Sequence, residues 1–152
     1  MTGLSSGPVD EGEAHGADID VDAVMPRQIR EAVRVMLTPR TGVVVDDAVL
    51  VADELITNAL EHGQPPRRVR LRLRTCPARL RIEVDDHGVG VPYLRAPDDG
   101  GGRGMTVIDR MATGWGVIDY TGFKTVWAEM PLDRPRIPPD APPPPTGPPD
   151  DR

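Results

Sequence analysis

Residues 68–84 read Arg-Val-Arg-Leu-Arg-Leu-Arg-Thr-Cys-Pro-Ala-Arg-Leu-Arg-Ile-Glu-Val. Apolar side chains fall on every second position, at Val69, Leu71 and Leu73 and again at Leu80, Ile82 and Val84. Charged residues, mostly arginine, fill the places between. A period of two belongs to a strand with one buried face and one wet face. Cys76-Pro77-Ala78 separates the two runs by only a turn's length, so they pair as a hairpin. Strands joined this way are antiparallel, which excludes a sheet built only from parallel crossovers.

Upstream the period changes. In residues 27–37, Ile29, Val33, Met36 and Leu37 follow helical spacing, with Pro26 in the first turn and Pro39 closing the segment. A longer helix is expected from about Asp46 to Glu61, capped by Asp46 or Asp47 and ended by Gly63, with a stripe of Ala48, Val49, Ala52, Leu55, Ile56 and Ala59. Downstream, residues 86–104 are rich in Gly, Asp and Pro and read as a loop. Met105 to Met111 reads as a short helix. Trp115 to Tyr120 and Lys124 to Met130 form a second hairpin, turning at Thr121-Gly122. The expected fold is α+β: a two-layer α/β sandwich with a mixed, mostly antiparallel sheet and helices on one face.

The chain has 152 residues and a net charge of −6. Residues 1–24 hold six acids and no Lys or Arg, so the block around the two hairpins is close to neutral and no broad basic surface for nucleic acid is expected. Ten of the 18 prolines lie in residues 131–152, which excludes helix and central strand there. The division expected is an acidic disordered leader at 1–24, a folded domain at 25–132 and a proline-rich disordered tail at 133–152. A single cysteine, Cys76, excludes an internal disulfide and a multi-cysteine metal site. No apolar run approaches a membrane span, so a soluble, cytoplasmic protein with no membrane contact is expected.

Three segments carry chemistry. On the long helix Glu54, Asn58 and His62 are spaced i, i+4, i+8 and form one polar ridge. A carboxamide oxygen is a hard ligand for Mg²⁺, and a neighbouring carboxylate can take a proton. In Asp85-Asp86-His87-Gly88-Val89-Gly90 a strand ends at a carboxylate followed by glycines that let a ligand approach the backbone. A buried aspartate there can accept a hydrogen bond from an exocyclic amine such as that of adenine. In Gly100-Gly101-Gly102-Arg103-Gly104-Met105 a glycine-rich loop runs into a helix, whose first N–H groups attract phosphate. Each pattern alone also suits an ordinary solvated helix face or turn.

Taken together and in this order, the segments resemble the GHKL (Bergerat) ATP-binding superfamily, and within it the small anti-sigma-factor serine/threonine kinases of the RsbW/SpoIIAB type. Residues 53–63 look like its N box, Asp86-His87-Gly88-Val89-Gly90 like its G1 box and Gly102-Arg103-Gly104-Met105 like its G2 box. Gly122-Phe123-Lys124-Thr125-Val126-Trp127 looks like its closing strand. The likeness spans roughly residues 25–132. It implies ATP and Mg²⁺ as cofactors, with Asn58 on the metal and Glu54 as base or water-positioning group. Asp86 would bind the adenine amine, with Gly88 and Gly90 shaping the pocket. Arg103 and Gly104 would meet the phosphates, with Gly102 and Met105 in the same cofactor-binding box, and residues 92–102 would form a lid. His62 and Thr125 complete the cofactor-binding set. The implied partners are a small anti-sigma-factor antagonist as substrate and a sigma factor, without direct nucleic-acid contact, and the implied assembly is a homodimer.

Two functions follow from this reading. One is a kinase that phosphorylates the antagonist and controls transcription by partner switching. The other is an ATP-binding interaction module with little or no turnover. A sensor histidine kinase fits less well, since His15 lies in the acidic leader and His62 and His87 lie inside the nucleotide motifs.

Overall fold

The computed structural model describes residues 13–75, 77–88 and 103–133. Strand β1 (Glu13–Asp20) leads through a 3-10 turn at Val21–Ala23 to helices α1 (Pro26–Leu37) and α2 (Val43–His62). Strands β2 (Arg68–Thr75) and β3 (Ala78–Asp86) follow, then α3 (Arg103–Met111), β4 (Gly114–Tyr120) and β5 (Phe123–Pro131). The sheet order is β1-β2-β3-β5-β4, and every neighbouring pair is antiparallel. The α+β sandwich is as the sequence predicts, but the described sheet is wholly antiparallel rather than mixed. The connection from β3 to β5 passes through α3 and β4, and its arrival beside β3 reverses the chain direction.

The period-two runs decide which way each strand faces. Val69, Leu71 and Leu73 of β2 and Leu80, Ile82 and Val84 of β3 are buried. They meet Ile29, Val33 and Leu37 of α1, the α2 stripe from Val45 to Ala59, and Met105 and Ile108 of α3 in one core. Burying a large aliphatic side chain contributes ~1.5–3 kcal/mol, so this single layer between sheet and helices supplies most of the driving force. Helix α2 touches α1 on one side and α3 on the other while lying over β3 and β5. It is the element through which the helical layer is tied to the centre of the sheet.

Helix α2 begins three residues earlier than the sequence suggests, and neither Asp46 nor Asp47 caps it. Gly42 does so, at φ +81°, a conformation that side-chain-bearing residues adopt at a cost, and its carbonyl accepts from Val45 and Asp46 N–H. Asp46 instead sits in the first turn, where a negative charge suits the helix dipole. It also pairs with Arg34 at 3.4 Å.

The outer face of the sheet holds the arginines. Arg72 pairs with Asp18 at 3.0 Å, Arg70 with Glu83 and Asp85 at 3.0 and 2.8 Å, and Arg81 with Glu83 at 2.9 Å. The Arg81 guanidinium also lies 4.2 Å from the centre of the Trp127 ring. These arginines serve neighbouring strands as much as solvent.

That face corrects the reading of residues 1–24 as a disordered leader. Residues 13–20 form the edge strand β1, paired along β2 from Glu13↔Arg74 to Asp20↔Arg68. Acidity judged on this segment alone reads as disorder, but its acids face an arginine strand, while Ala17 and Ile19 turn inward to pack against the core. Asp22 continues the pattern, accepting from the Arg67 backbone N–H at 2.8 Å and from its guanidinium at 2.7 Å. The rest of the leader and the proline-rich tail beyond Asp133 lie outside the described residues, as does Cys76. No described helix is long and apolar enough to cross a membrane.

Removing β1 would expose the β2 edge and uncover Ala17 and Ile19 contacts. A chain truncated through Asp20 should therefore melt several degrees below one truncated through residue 12, and should self-associate more readily. Differential scanning calorimetry with light scattering checks both effects, and equal melting points would contradict the assignment of β1.

Candidate functional site

Buried polar side chains are the informative exceptions in a core. Among the described residues these are Asp86, Lys124 and Thr125, and all three lie where β3 ends beside the start of β5. Asp86 is 1% exposed and Lys124 4%. They are direct cross-strand partners on the inner face, with Lys124 Nζ 3.8 Å from Asp86 Oδ1. Asp86 Oδ1 also accepts from the Gly88 N–H at 2.7 Å. Asp86 Oδ2 is buried with no hydrogen-bond partner. A buried carboxylate oxygen left unmatched is costly, so it marks the place where a donor is missing.

The walls of this place are glycines for a geometric reason. A Cβ on Gly63 would stand 2.5 Å from Asp86 Cγ and 2.5 Å from the Ala59 carbonyl oxygen. A Cβ on Gly88 would stand 2.8 Å from Gly63 Cα. The end of α2 and the end of β3 thus approach to a distance that side chains would forbid. His87 holds them there. Its N–H donates to the Gln64 carbonyl at 2.9 Å, and its Nδ1 lies 2.9 Å from the Pro66 carbonyl. Arg67 adds a clamp that the sequence reading missed. Its Nε donates to the Ala59 carbonyl at 2.9 Å and its Nη2 to the Gly63 carbonyl at 3.3 Å. A cation beside the last carbonyls of a helix is a known cap, and an arginine four residues past Gly63 was the available signal.

Glu54 and Asn58 stand on α2 within the same layer and are both half-buried. Burial holds the Glu54 carboxyl above the usual carboxylate range, and the nearby charges of Asp53 and then Glu61 push the same way. His62, the third member of the predicted ridge, is exposed, with its Nε2 3.8 Å from Glu61. Its backbone carbonyl, not its ring, borders Gly88. Helix α3 begins at Arg103, two residues before the Met105 start read from the sequence, so Arg103 and Gly104 are its first two residues rather than the end of the loop. Met105 is buried in the core beside that start, so its part there is packing. Gly90, Gly102 and the lid at 92–102 lie outside the described residues.

One predicted position is corrected. Thr125 is not on the Asp86 side of the sheet. Its hydroxyl donates to Asp85 Oδ1 at 2.6 Å, and Asp85 in turn takes Arg70 at 2.8 Å on the outer face. Strand alternation is the reason: Thr125 opposes Asp85, while Lys124 opposes Asp86. Counting parity back from buried Val126 would have selected Lys124 from the sequence.

An unmatched acceptor in a glycine cradle fits a planar ligand carrying an amine. A helix N-terminus nearby in sequence order fits its phosphates. Among the described residues no cluster of three or more His, Cys, Asp or Glu side chains is placed to hold a metal.

Residues 22–126 match the histidine kinase-like ATPase domain, and the chain belongs to that family. The crystal structure of the RsbU and RsbW domains of Rv1364c from Mycobacterium tuberculosis shares the fold, with a TM-score of 0.59 and 21% identity. The alignment covers 80% of this chain and 34% of that one. The histidine kinase domain of the Erythrobacter litoralis EL346 blue-light activated histidine kinase aligns over 75% of this chain and 62% of that one, at 21% identity and a TM-score of 0.45. The chain thus spans about a third and about three-fifths of these two structures. No curated protein sequence matches it significantly.

The raised Glu54 carboxyl has a signed consequence. Its folded-state value lies above its unfolded value, so it favours the fold at low pH, and that support is lost as pH rises through the folded value. Glu54→Gln removes the penalty that remains above that point. The variant should melt higher than the parent at pH 8, with the gap closing as pH falls into the carboxylate range. Thermal melts from pH 4 to 8 check this, and a lower melting point for the variant at pH 8 would contradict it. Gly63→Ala has no such latitude, because it meets the backbone carbonyl of Ala59. It should cost roughly 1–3 kcal/mol, read by urea denaturation.

Proposed function

We propose that the chain binds ATP with Mg²⁺ at the Asp86 end of the sheet and acts as a serine/threonine protein kinase of anti-sigma-factor type. Its substrate would be a small antagonist protein, and its control of transcription would run through partner switching with a sigma factor, as a homodimer. The observation that carries the nucleotide part is the buried, unmatched Asp86 Oδ2 in its glycine cradle. Family membership supports the same ligand.

The residues divide the work. Asp86 accepts from the adenine amine, and Gly63 and Gly88, by letting the end of α2 close onto the end of β3, hold its carboxylate in place. Arg103 and Gly104, at the start of α3, bring backbone N–H groups and one charge to the phosphates. Asn58 offers its amide oxygen to Mg²⁺, which when bound would neutralise charge on the transferred group. Glu54 takes the proton of the attacking serine hydroxyl as its oxygen bonds to the γ-phosphorus and ADP departs. Phosphoryl transfer depends on positioning and charge more than on covalent help from the protein. A carboxyl held above the usual range suits a general base, since it retains a proton more strongly near neutral pH.

Incubation with labelled ATP, Mg²⁺ and candidate antagonist proteins tests this. Glu54→Ala should lower phosphorylation by about 10²–10⁴-fold, the usual worth of a general base, with ADP affinity within about twofold of the parent. Phosphorylation by the parent should rise with pH through a point above the ordinary carboxylate range. ATP binding without phosphorylation of any antagonist, and partner control indifferent to Glu54→Ala, would replace the kinase with the non-catalytic interaction module.

A further inference from the structure

Arg67 makes more bonds than capping a helix needs. Its Nε donates to the Ala59 carbonyl at 2.9 Å, its Nη2 to the Gly63 carbonyl at 3.3 Å and its Nη1 to Asp22 Oδ1 at 2.7 Å. One guanidinium thus joins the last turn of α2, the residue that follows it and the 3-10 turn after β1. The planar fork fixes these three directions at once, which the point charge of a lysine cannot do. The side chain is 13% exposed, so water competes little for its donors.

The backbone of Arg67 is held from the same side. Its N–H donates to Asp22 Oδ2 at 2.8 Å, and its carbonyl accepts from the Val21 N–H at 3.0 Å. Val21 is itself buried in the core and seats the 3-10 turn. Arg67 therefore carries position from a core-anchored turn to the end of α2. What lies there is the wall of the site. A Cβ on Gly63 would stand 2.5 Å from the Ala59 carbonyl oxygen and 2.5 Å from Asp86 Cγ. The Ala59 carbonyl also accepts from the Gly63 N–H at 2.9 Å. The two carbonyls that Arg67 grips thus belong to residues that set how closely α2 approaches the Asp86 carboxylate. His87 pins the later part of the same linker, at the Gln64 and Pro66 carbonyls.

We propose that Arg67 is a positioning residue for base recognition. It acts through the Ala59 and Gly63 carbonyls, holding the end of α2 where the buried Asp86 Oδ2 can meet an exocyclic amine. The inference rests on the nucleotide reading of this site. It adds a residue that lies between the segments resembling the N and G1 boxes, and through Asp22 it makes the turn after β1 part of the frame that selects the base. A cap with a purely structural role would support the fold alone. A positioning role also sets the strength of one contact, the one between Asp86 and the amine.

Isothermal calorimetry with ADP and with purine riboside diphosphate, which carries hydrogen in place of the 6-amino group, separates the two on the parent, R67A, R67K and D22A. The ratio of the two affinities is the readout, because a loss of folded protein lowers both alike. The parent should prefer ADP by about tenfold to a hundredfold, the usual range for a hydrogen bond to a charged group. In R67A that preference should shrink roughly fivefold to tenfold, as for residues coupled through a shared contact, and R67K should recover part of it. D22A leaves both carbonyl bonds but frees their anchor, so it should shrink the preference by about twofold to threefold. If R67A does not fold, D22A decides. A folded R67A with the parent's preference, or an unchanged preference in D22A when R67A is unfolded, would overturn the proposal and leave Arg67 a helix cap. A parent that binds the two ligands equally, or binds neither, would instead remove the nucleotide reading on which it rests.

Discussion

A buried carboxylate organises this end of the molecule. Asp86 is almost wholly removed from water, yet one of its oxygens has no protein partner. Holding it there requires several separate features to agree. Gly63 and Gly88 must lack side chains, the α2 terminus must stop short, and a cation must stand opposite on β5. Each of these would be a defect in a purely structural domain. Together they describe a site whose missing partner is a ligand donor.

The rest of the fold keeps those parts in place. Helix α2 carries Glu54 and Asn58 and ends against Asp86, while its other face forms the centre of the core. Arg67 and His87 tie the loop after α2 to the turn after β3 and to Asp22. The β1 edge, through Asp22, thereby reaches the frame of the site. On the far side of the sheet a separate set of ion pairs links β1, β2, β3 and β5. Partly exposed pairs of this kind contribute little each, about 0–1 kcal/mol, so their service is register rather than bulk stability. Asp85 and Asp86 are adjacent, but one belongs to that outer network and the other to the site.

Much of this was legible because period two and period 3.6 are hard to confuse over eight or more residues. Val69 to Val84 and Ala48 to Ala59 declare their faces without help from tertiary structure. What stayed hidden depends on partners distant in sequence. Residues 13–20 read as disordered because their acids look unpaired until the arginines of β2 stand beside them. Thr125 enters the site only through the family resemblance, and the place of Lys124 opposite Asp86 shows once the strand register is known. The part played by Arg67 depends on the Ala59 and Gly63 carbonyls, partners that composition does not reveal. Asp86 and its glycines were legible as a pattern, but their close approach to Gly63 was not, since it joins residues more than twenty positions apart.

The most direct measurement is a crystal structure of the protein with ADP and Mg²⁺. The account predicts the adenine amine within about 2.7–3.2 Å of Asp86 Oδ2. A nucleotide bound elsewhere, or a base seated here with Asp86 Oδ2 still unmatched, would contradict it.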